Sequence, residues 1–291
     1  MNRDPLPNLS TVSYSNIELD GLNVFFRSAG DPAKPAFVLL HGFPSSSHMY
    51  RDLIPLLAER FHVIAPDYIG FGHSDAPAAD QFEYTFARLT EIVERLLGKL
   101  GVDSYHLYMH DFGGPVGLRL AAKHPERVLG LVIQNANAYM EGVSEAVANV
   151  FMPLWQHGDE TGALVMLRAE TTKFQYMQGA RDPAALNPDA WTHDQALLDR
   201  PGSAERQLAL FKDYQTNVAA YDAWQAYFRA HRPTTLIAWG KGDPFFTVAG
   251  AEAFLRDLPD ARLVWLDGGH FALEENADLV AGEIINSFAG R

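Results

Sequence analysis

The chain has 291 residues, 47% of them hydrophobic and 12% aromatic, with a net charge of −13 and no cysteine. This length and composition support one large α/β domain with an insertion, or two small domains. Without cysteine, disulfides, thiolate metal sites and cysteine nucleophiles are excluded, and the acidic balance argues against nucleic acid or an anionic membrane as a partner.

Residues 1–10 show no basic stretch followed by an apolar one, and no apolar run reaches transmembrane length, so a soluble, cytoplasmic protein is expected. Val12 to Ile17 and Leu22 to Arg27 read as strands joined at Asp20-Gly21, a hairpin signal. Ala36 to Leu40 is a continuous apolar run of the kind found in parallel sheets, and it ends at His41-Gly42-Phe43-Pro44. A helical stretch with Leu53, Leu56 and Leu57 follows, then a buried strand from His62 to Ala65 ending at Pro66-Asp67. Beyond the loop Gly70-Phe71-Gly72-His73-Ser74, the residues Phe86, Leu89, Ile92, Val93, Leu96 and Leu100 recur at helical spacing. Tyr105 to His110 is the next buried strand. It stops at Asp111, and Gly113-Gly114 opens a helix over Gly114 to Ala122, followed by a strand from Val128 to Gln134.

The alternation then stops. Between Asn137 and Arg232 strand signals are sparse, and helical runs such as Ala204 to Tyr214 and Val218 to Phe228 are separated by Pro153, Gly158, Pro183, Pro188 and Pro201-Gly202. Strands resume at Thr234 to Trp239 and Arg262 to Leu266. The expected architecture is α/β: a mostly parallel central sheet flanked by helices, with core segments at residues 1–136 and 233–291 and an inserted helical cap at 137–232.

Ligands of open α/β sheets sit at the carboxyl ends of the strands, so the residues just past each strand carry the chemistry. They are His41-Gly42-Phe43-Pro44, then Asp111, then Gly240-Lys241-Gly242-Asp243-Pro244, then Asp267-Gly268-Gly269-His270. A strand, a sharp turn and a helix with a reactive side chain at the apex form a nucleophile elbow, and the order nucleophile, acid, histidine completes a triad. Asp111 on its own reads as a helix cap. The glycines behind it and the partners downstream make it a nucleophile instead. His270 is the expected general base among 11 histidines, because it alone stands on a Gly-Gly turn in the right place in that order. Asp243 is expected to orient it, since Gln134-Asn135-Ala136-Asn137, the other place for an acid, holds no carboxylate. Backbone N–H groups of Phe43 and Phe112 are the expected oxyanion hole. His41 and Asp67 are expected to hold loops.

These motifs, with Gly269-His270-Phe271, Gly70-x-Gly72-x-Ser74 and His110-Asp111-Phe112-Gly113-Gly114, together resemble the α/β-hydrolase superfamily. More narrowly they are similar to its aspartate-nucleophile branch of epoxide hydrolases and haloalkane and haloacetate dehalogenases. The resemblance implies attack by the carboxylate on saturated carbon, an alkyl-enzyme ester, and release by water. It implies no cofactor and no metal, and a small apolar substrate with water as partners; a homodimer is left open. The chain departs from the dehalogenase pattern where Phe112 and Phe43 replace the usual halide donors, and where Phe112 and Pro115 replace the arginines of haloacetate enzymes. Met109 stands where a small residue is common. Asp213-Tyr214-Gln215-Thr216-Asn217 is similar to a stretch that carries an acid tyrosine in epoxide hydrolases, which implies that role for Tyr214. Trp155, His157 and Tyr176 are candidates for a second donor in the substrate pocket, and Tyr221, Trp224 and Phe228 are expected to pack the cap. An epoxide hydrolase is the leading expectation. A dehalogenase with a halide site built from Trp155, His157 or Tyr214, an ester or lactone hydrolase, and a non-catalytic receptor are the alternatives.

Overall fold

The computed structural model describes residues 11–289, so the expectation for residues 1–10 lies outside the described residues. Along the chain run β1 (Ser13–Leu19), β2 (Leu22–Ala29), β3 (Ala36–Leu40), α1 (Leu53–Leu57), β4 (His62–Pro66), α2 (Phe86–Lys99), β5 (Tyr105–His110), α3 (Gly113–Lys123) and β6 (Val128–Gln134). Seven helices follow among the described residues: α4 (Glu145–His157), α5 (Thr161–Val165), α6 (Ala169–Met177), α7 (Pro188–Leu198), α8 (Ser203–Asp213), α9 (Gln215–Ala219) and α10 (Tyr221–His231). The chain returns through β7 (Thr235–Gly240), α11 (Val248–Ala253), β8 (Arg262–Leu266) and α12 (Leu273–Phe288). The helical run anticipated from Val218 to Phe228 is broken at Ala220, where α9 ends and α10 begins. Among the described residues no helix is long and apolar enough to cross a membrane.

The strands form one eight-stranded sheet in the order β1-β2-β4-β3-β5-β6-β7-β8. The β1–β2 and β2–β4 pairs are antiparallel, and all the others are parallel. Alternation along each strand sends side chains to opposite faces. Val38, Leu107, Met109, Leu131 and Ile133 enter the core that α2 and α3 cover, while Phe37, Leu39, Tyr108, Val132 and Leu236 enter the one under α1 and α12.

The strand order also locates the site. β4 lies on one side of β3 and β5 on the other, so the chain reverses direction across the sheet at β3, and a crevice opens at the carboxyl ends of β3 and β5. Register does the rest: Leu40 is level with Met109, His110 with Gln134, and Gly240 with Leu266. The loops after β3, β5, β6, β7 and β8 therefore emerge side by side on one edge.

Met109 fits beneath the elbow because α3 has no side chain at the facing position. A Cβ at Gly117 would stand 2.4 Å from the Met109 sulfur. Met109 is fully buried on a central strand, so its side chain can move only by displacing packed neighbours. Gly117→Ala is therefore expected to cost about 1–3 kcal/mol through overpacking. Thermal denaturation should show it as a lowered midpoint, and in Gly117→Ala with Met109→Ala the combined cost should fall short of the sum of the single variants.

Candidate active site

Asp111 follows directly on β5 with φ of 49°, in the left-handed region that an L-residue enters only at a cost. The turn points its carboxylate out of the sheet toward the loop after β3. That loop can come close because Gly42 has no side chain: a Cβ there would lie 2.3 Å from the Asp111 Cβ. The Phe43 N–H consequently donates to Asp111 Oδ1 at 2.6 Å. The Phe112 N–H also bears on the carboxylate. Burial pushes the Asp111 carboxyl above its ordinary range, and His270 with these two N–H groups draws it back in part.

His270 sits on the loop after β8. Its Nε2 is 3.9 Å from Asp111 Oδ2, beyond hydrogen-bond length. Its Nδ1 is 2.8 Å from Asp243 Oδ2, which assigns the proton to Nδ1 and leaves Nε2 as the basic nitrogen facing Asp111. Burial opposes the imidazolium, but Asp243 and then Asp111 outweigh it and hold the His270 pKa above the ordinary histidine value. Asp243 is itself fixed: its Oδ1 accepts from the N–H groups of Phe245 and Phe246 at 2.7 and 3.1 Å.

A further residue completes this group. Asn135 follows β6 with φ of 43°, and its Nδ2 donates to Asp243 Oδ2 at 2.8 Å while its Oδ1 accepts from Gly240 N at 2.9 Å. Its carbonyl accepts the Asp111 N–H at 3.2 Å, so one residue braces both the acid and the elbow. Asparagine tolerates the left-handed conformation better than most residues, and its place just past a strand is the only signal of this role in the sequence. His110 adds a second tie. Its Nε2 lies 3.0 Å from the His270 carbonyl, which makes it a donor there, and burial drives its pKa far below the ordinary value.

His41 and Asp67 hold loops. His41 Nε2 accepts from Tyr68 N at 3.2 Å, Nδ1 donates to Gly42 O at 3.1 Å, and burial lowers its pKa to about 4. Asp67 accepts from Ser47 N at 2.7 Å and His73 N at 2.8 Å, joining the loops after β3 and β4.

A cavity of about 100 Å³ opens above Asp111, between the sheet edge and the helical segment. Phe43, Phe112, Phe151, Trp155, Phe211 and Tyr214 form much of its wall. Tyr214, between α8 and α9, packs its ring 5.9 Å from that of Phe112. Burial raises its hydroxyl pKa well above the ordinary value, with Tyr221 and Asp111 adding to the effect, so it stays a proton donor. The stretch around it is clamped to the core: Asp213 Oδ2 accepts from Phe86 N at 2.7 Å, and Arg119 of α3 donates to Thr216 Oγ1 at 3.0 Å and also to Asn217.

The other anticipated donors fare differently. Trp155 lines the cavity, but its Nε1–H is given to the Phe211 carbonyl at 2.8 Å, so it presents only its ring. His157 is exposed at the end of α4 and does not line the cavity. Tyr176 also lies outside the cavity wall: it is buried with its hydroxyl donating to Asp194 Oδ2 at 2.6 Å and its ring stacked 3.9 Å from Phe271. Two cavity residues whose side chains carry polar atoms without a partner among the described residues, Asn137 and Gln175, give no sign of themselves in the sequence.

The chain matches the alpha/beta hydrolase fold family over residues 35–277. It is 41% identical over 276 residues to an uncharacterized hydrolase of Saccharomyces cerevisiae, covering 93% of this chain and 94% of that one. It is 27% identical to a haloalkane dehalogenase of Bradyrhizobium diazoefficiens, over 93% of this chain and 92% of the relative. The solved structure of the epoxide hydrolase CorEH superposes with a TM-score of 0.79 at 20% identity, covering 96% of this chain and 99% of that one, which is a likeness of fold.

The histidine environment is testable without a substrate. Nuclear magnetic resonance titration should give His270 a pKa above the ordinary histidine value, and Asp243→Asn should lower it, because Asp111 alone then opposes burial.

Proposed function

As the chain belongs to the alpha/beta hydrolase fold family, we propose that it is an epoxide hydrolase in which Asp111 is the nucleophile and Tyr214 the acid. The carrying observation is the set of donors around the carboxylate. Phe43 and Phe112 have no side-chain donor, the Trp155 N–H is committed to a backbone carbonyl, and of the cavity residues left with a donor, Asn137, Gln175 and Tyr214, only Tyr214 can give up a proton. An opening epoxide needs an acid that gives a proton to its oxygen, which a phenol can do and a carboxamide cannot.

The two carboxylate oxygens take different parts. Oδ1 is held by the Phe43 N–H, so Oδ2 attacks the epoxide carbon. The carbon–oxygen bond breaks, and the leaving oxygen takes the Tyr214 proton. This leaves an ester on Asp111 and a tyrosinate. His270 Nε2 then takes a proton from water, and the hydroxide adds to Asp111 Cγ. Negative charge develops on Oδ1, which the Phe43 N–H already holds, with the Phe112 N–H bearing on the same carboxylate. Collapse expels the diol alkoxide, which takes the proton from His270. Asp111 is left as the neutral acid and releases its proton, Tyr214 regains one by way of solvent, and epoxide plus water has become diol. Asp243 stabilises the imidazolium between the two proton transfers. The resemblance to the Bradyrhizobium haloalkane dehalogenase favours a second reading, halide displacement by the same Asp111, for which Tyr214, Asn137 and Gln175 are left as donors once Trp155 and His157 are set aside.

Styrene oxide and bromoalkanes separate the readings: diol formation without halide release is expected, and halide release without diol formation would sink the proposal. Tyr214→Phe should lower kcat on styrene oxide by about 10²-fold or more. In His270→Gln the ester cannot be hydrolysed, so mass spectrometry should find one molecule of epoxide added at Asp111. No adduct with any epoxide or halide would favour ester hydrolysis or a receptor role.

A further inference from the structure

The wall of the cavity is apolar except for the reacting groups and two carboxamides. Asn137, just past β6, is 1% exposed, and neither its Oδ1 nor its Nδ2 has a hydrogen-bond partner among the described residues. Gln175, on α6, is 2% exposed, and its Nε2 is likewise without a partner among the described residues. Both line the cavity that holds Asp111 and Tyr214. A buried unpaired amide is costly, and a leucine or methionine would fill either place without that cost. The surroundings also make room for Asn137: a Cβ at Gly142 would stand 1.9 Å from its Oδ1.

The chemistry of the missing partner follows from the wall. No lysine or arginine lines the cavity among the described residues, and its one basic residue there, His270, already stands between the carboxylates of Asp111 and Asp243, so an anionic group would find no free counter-charge. The partner is therefore neutral. Asn137 offers both a donor and an acceptor, and Gln175 offers a donor, which suits a group that both gives and receives hydrogen bonds. We propose that Asn137 and Gln175 form a polar subsite that binds a hydroxyl or primary carboxamide on an otherwise apolar substrate. Resting on the epoxide reading above, this makes the preferred substrate an epoxide bearing such a neutral group rather than a plain hydrocarbon epoxide. A site built to hydrogen-bond a substrate group rejects the analogue that lacks it far more strongly than a greasy pocket rejects a missing methylene.

Two measurements test this. The first needs no catalysis: calorimetric titration with hexanamide, a neutral, unreactive primary amide. The wild type should bind it, and Asn137→Leu and Gln175→Met should each weaken binding by about tenfold or more. Gln175→Met keeps the test decisive if Asn137→Leu fails to fold. No binding to the wild type, or equal binding by wild type and variants, overturns the subsite. The second is the ratio of kcat/KM for (hydroxybutyl)oxirane over butyloxirane, which should be about ten or more in the wild type and fall toward one in the variants. A ratio that both variants leave unchanged also overturns the subsite. If neither oxirane is turned over, the epoxide reading fails, and the hexanamide titration still decides whether the two carboxamides recognise a neutral polar ligand.

Discussion

The backbone of Asp111 is the constraint on which the rest of the site depends. Held at φ of 49°, it costs on the order of 1–3 kcal/mol, and the neighbouring strands meet that cost. Its N–H is tied to the Asn135 carbonyl, and its side chain lies against a glycine of the next loop. Because the turn is held on both sides, the carboxylate projects from the sheet with one oxygen already on the Phe43 N–H.

Around that carboxylate the electrostatics divide the labour. Burial raises the Asp111 carboxyl, and the N–H groups of Phe43 and Phe112 and the nearby His270 keep the charged form accessible. Burial also resists a charged His270, and Asp243 outweighs it. Asp243 can do so because Asn135 and two backbone N–H groups fill its remaining acceptor positions and fix its orientation. In the proposed ester, Asp111 loses its charge. His270 then loses one of the two carboxylates that raise its pKa, which makes neutral Nε2 easier to reach when water must be deprotonated.

How much of this is legible in the sequence depends on where each residue stands. Asp111, Asp243 and His270 each follow a strand of a parallel sheet, and parallel register carries strand ends to one edge whatever the intervening chain does. Their order and their glycine neighbours are therefore readable from the chain. The helical segment offers no such rule. Trp155 and Tyr176 stand on helices whose facing is set by packing against distant elements: the Trp155 partner is a carbonyl 56 residues away, and Tyr176 meets Asp194 of α7. His157 is turned to solvent by the end of α4, one residue before Gly158. Tyr214 is the exception because its neighbours Asp213, Thr216 and Asn217 bind α2 and α3 directly. Asn137 and Gln175 were invisible because what distinguishes them is the lack of a partner, and that appears only in three dimensions.

The central claim is that Asp111 forms the bond to carbon and that water attacks Asp111 rather than the substrate. A single turnover of styrene oxide in heavy-oxygen water, with enzyme in excess, tests it most directly. The account predicts a diol whose new oxygen is unlabelled, because it comes from Asp111, and label in the Asp111 carboxylate on peptide mass analysis. Label in the diol with none in Asp111 would mean that water attacks the epoxide itself, and would contradict the account.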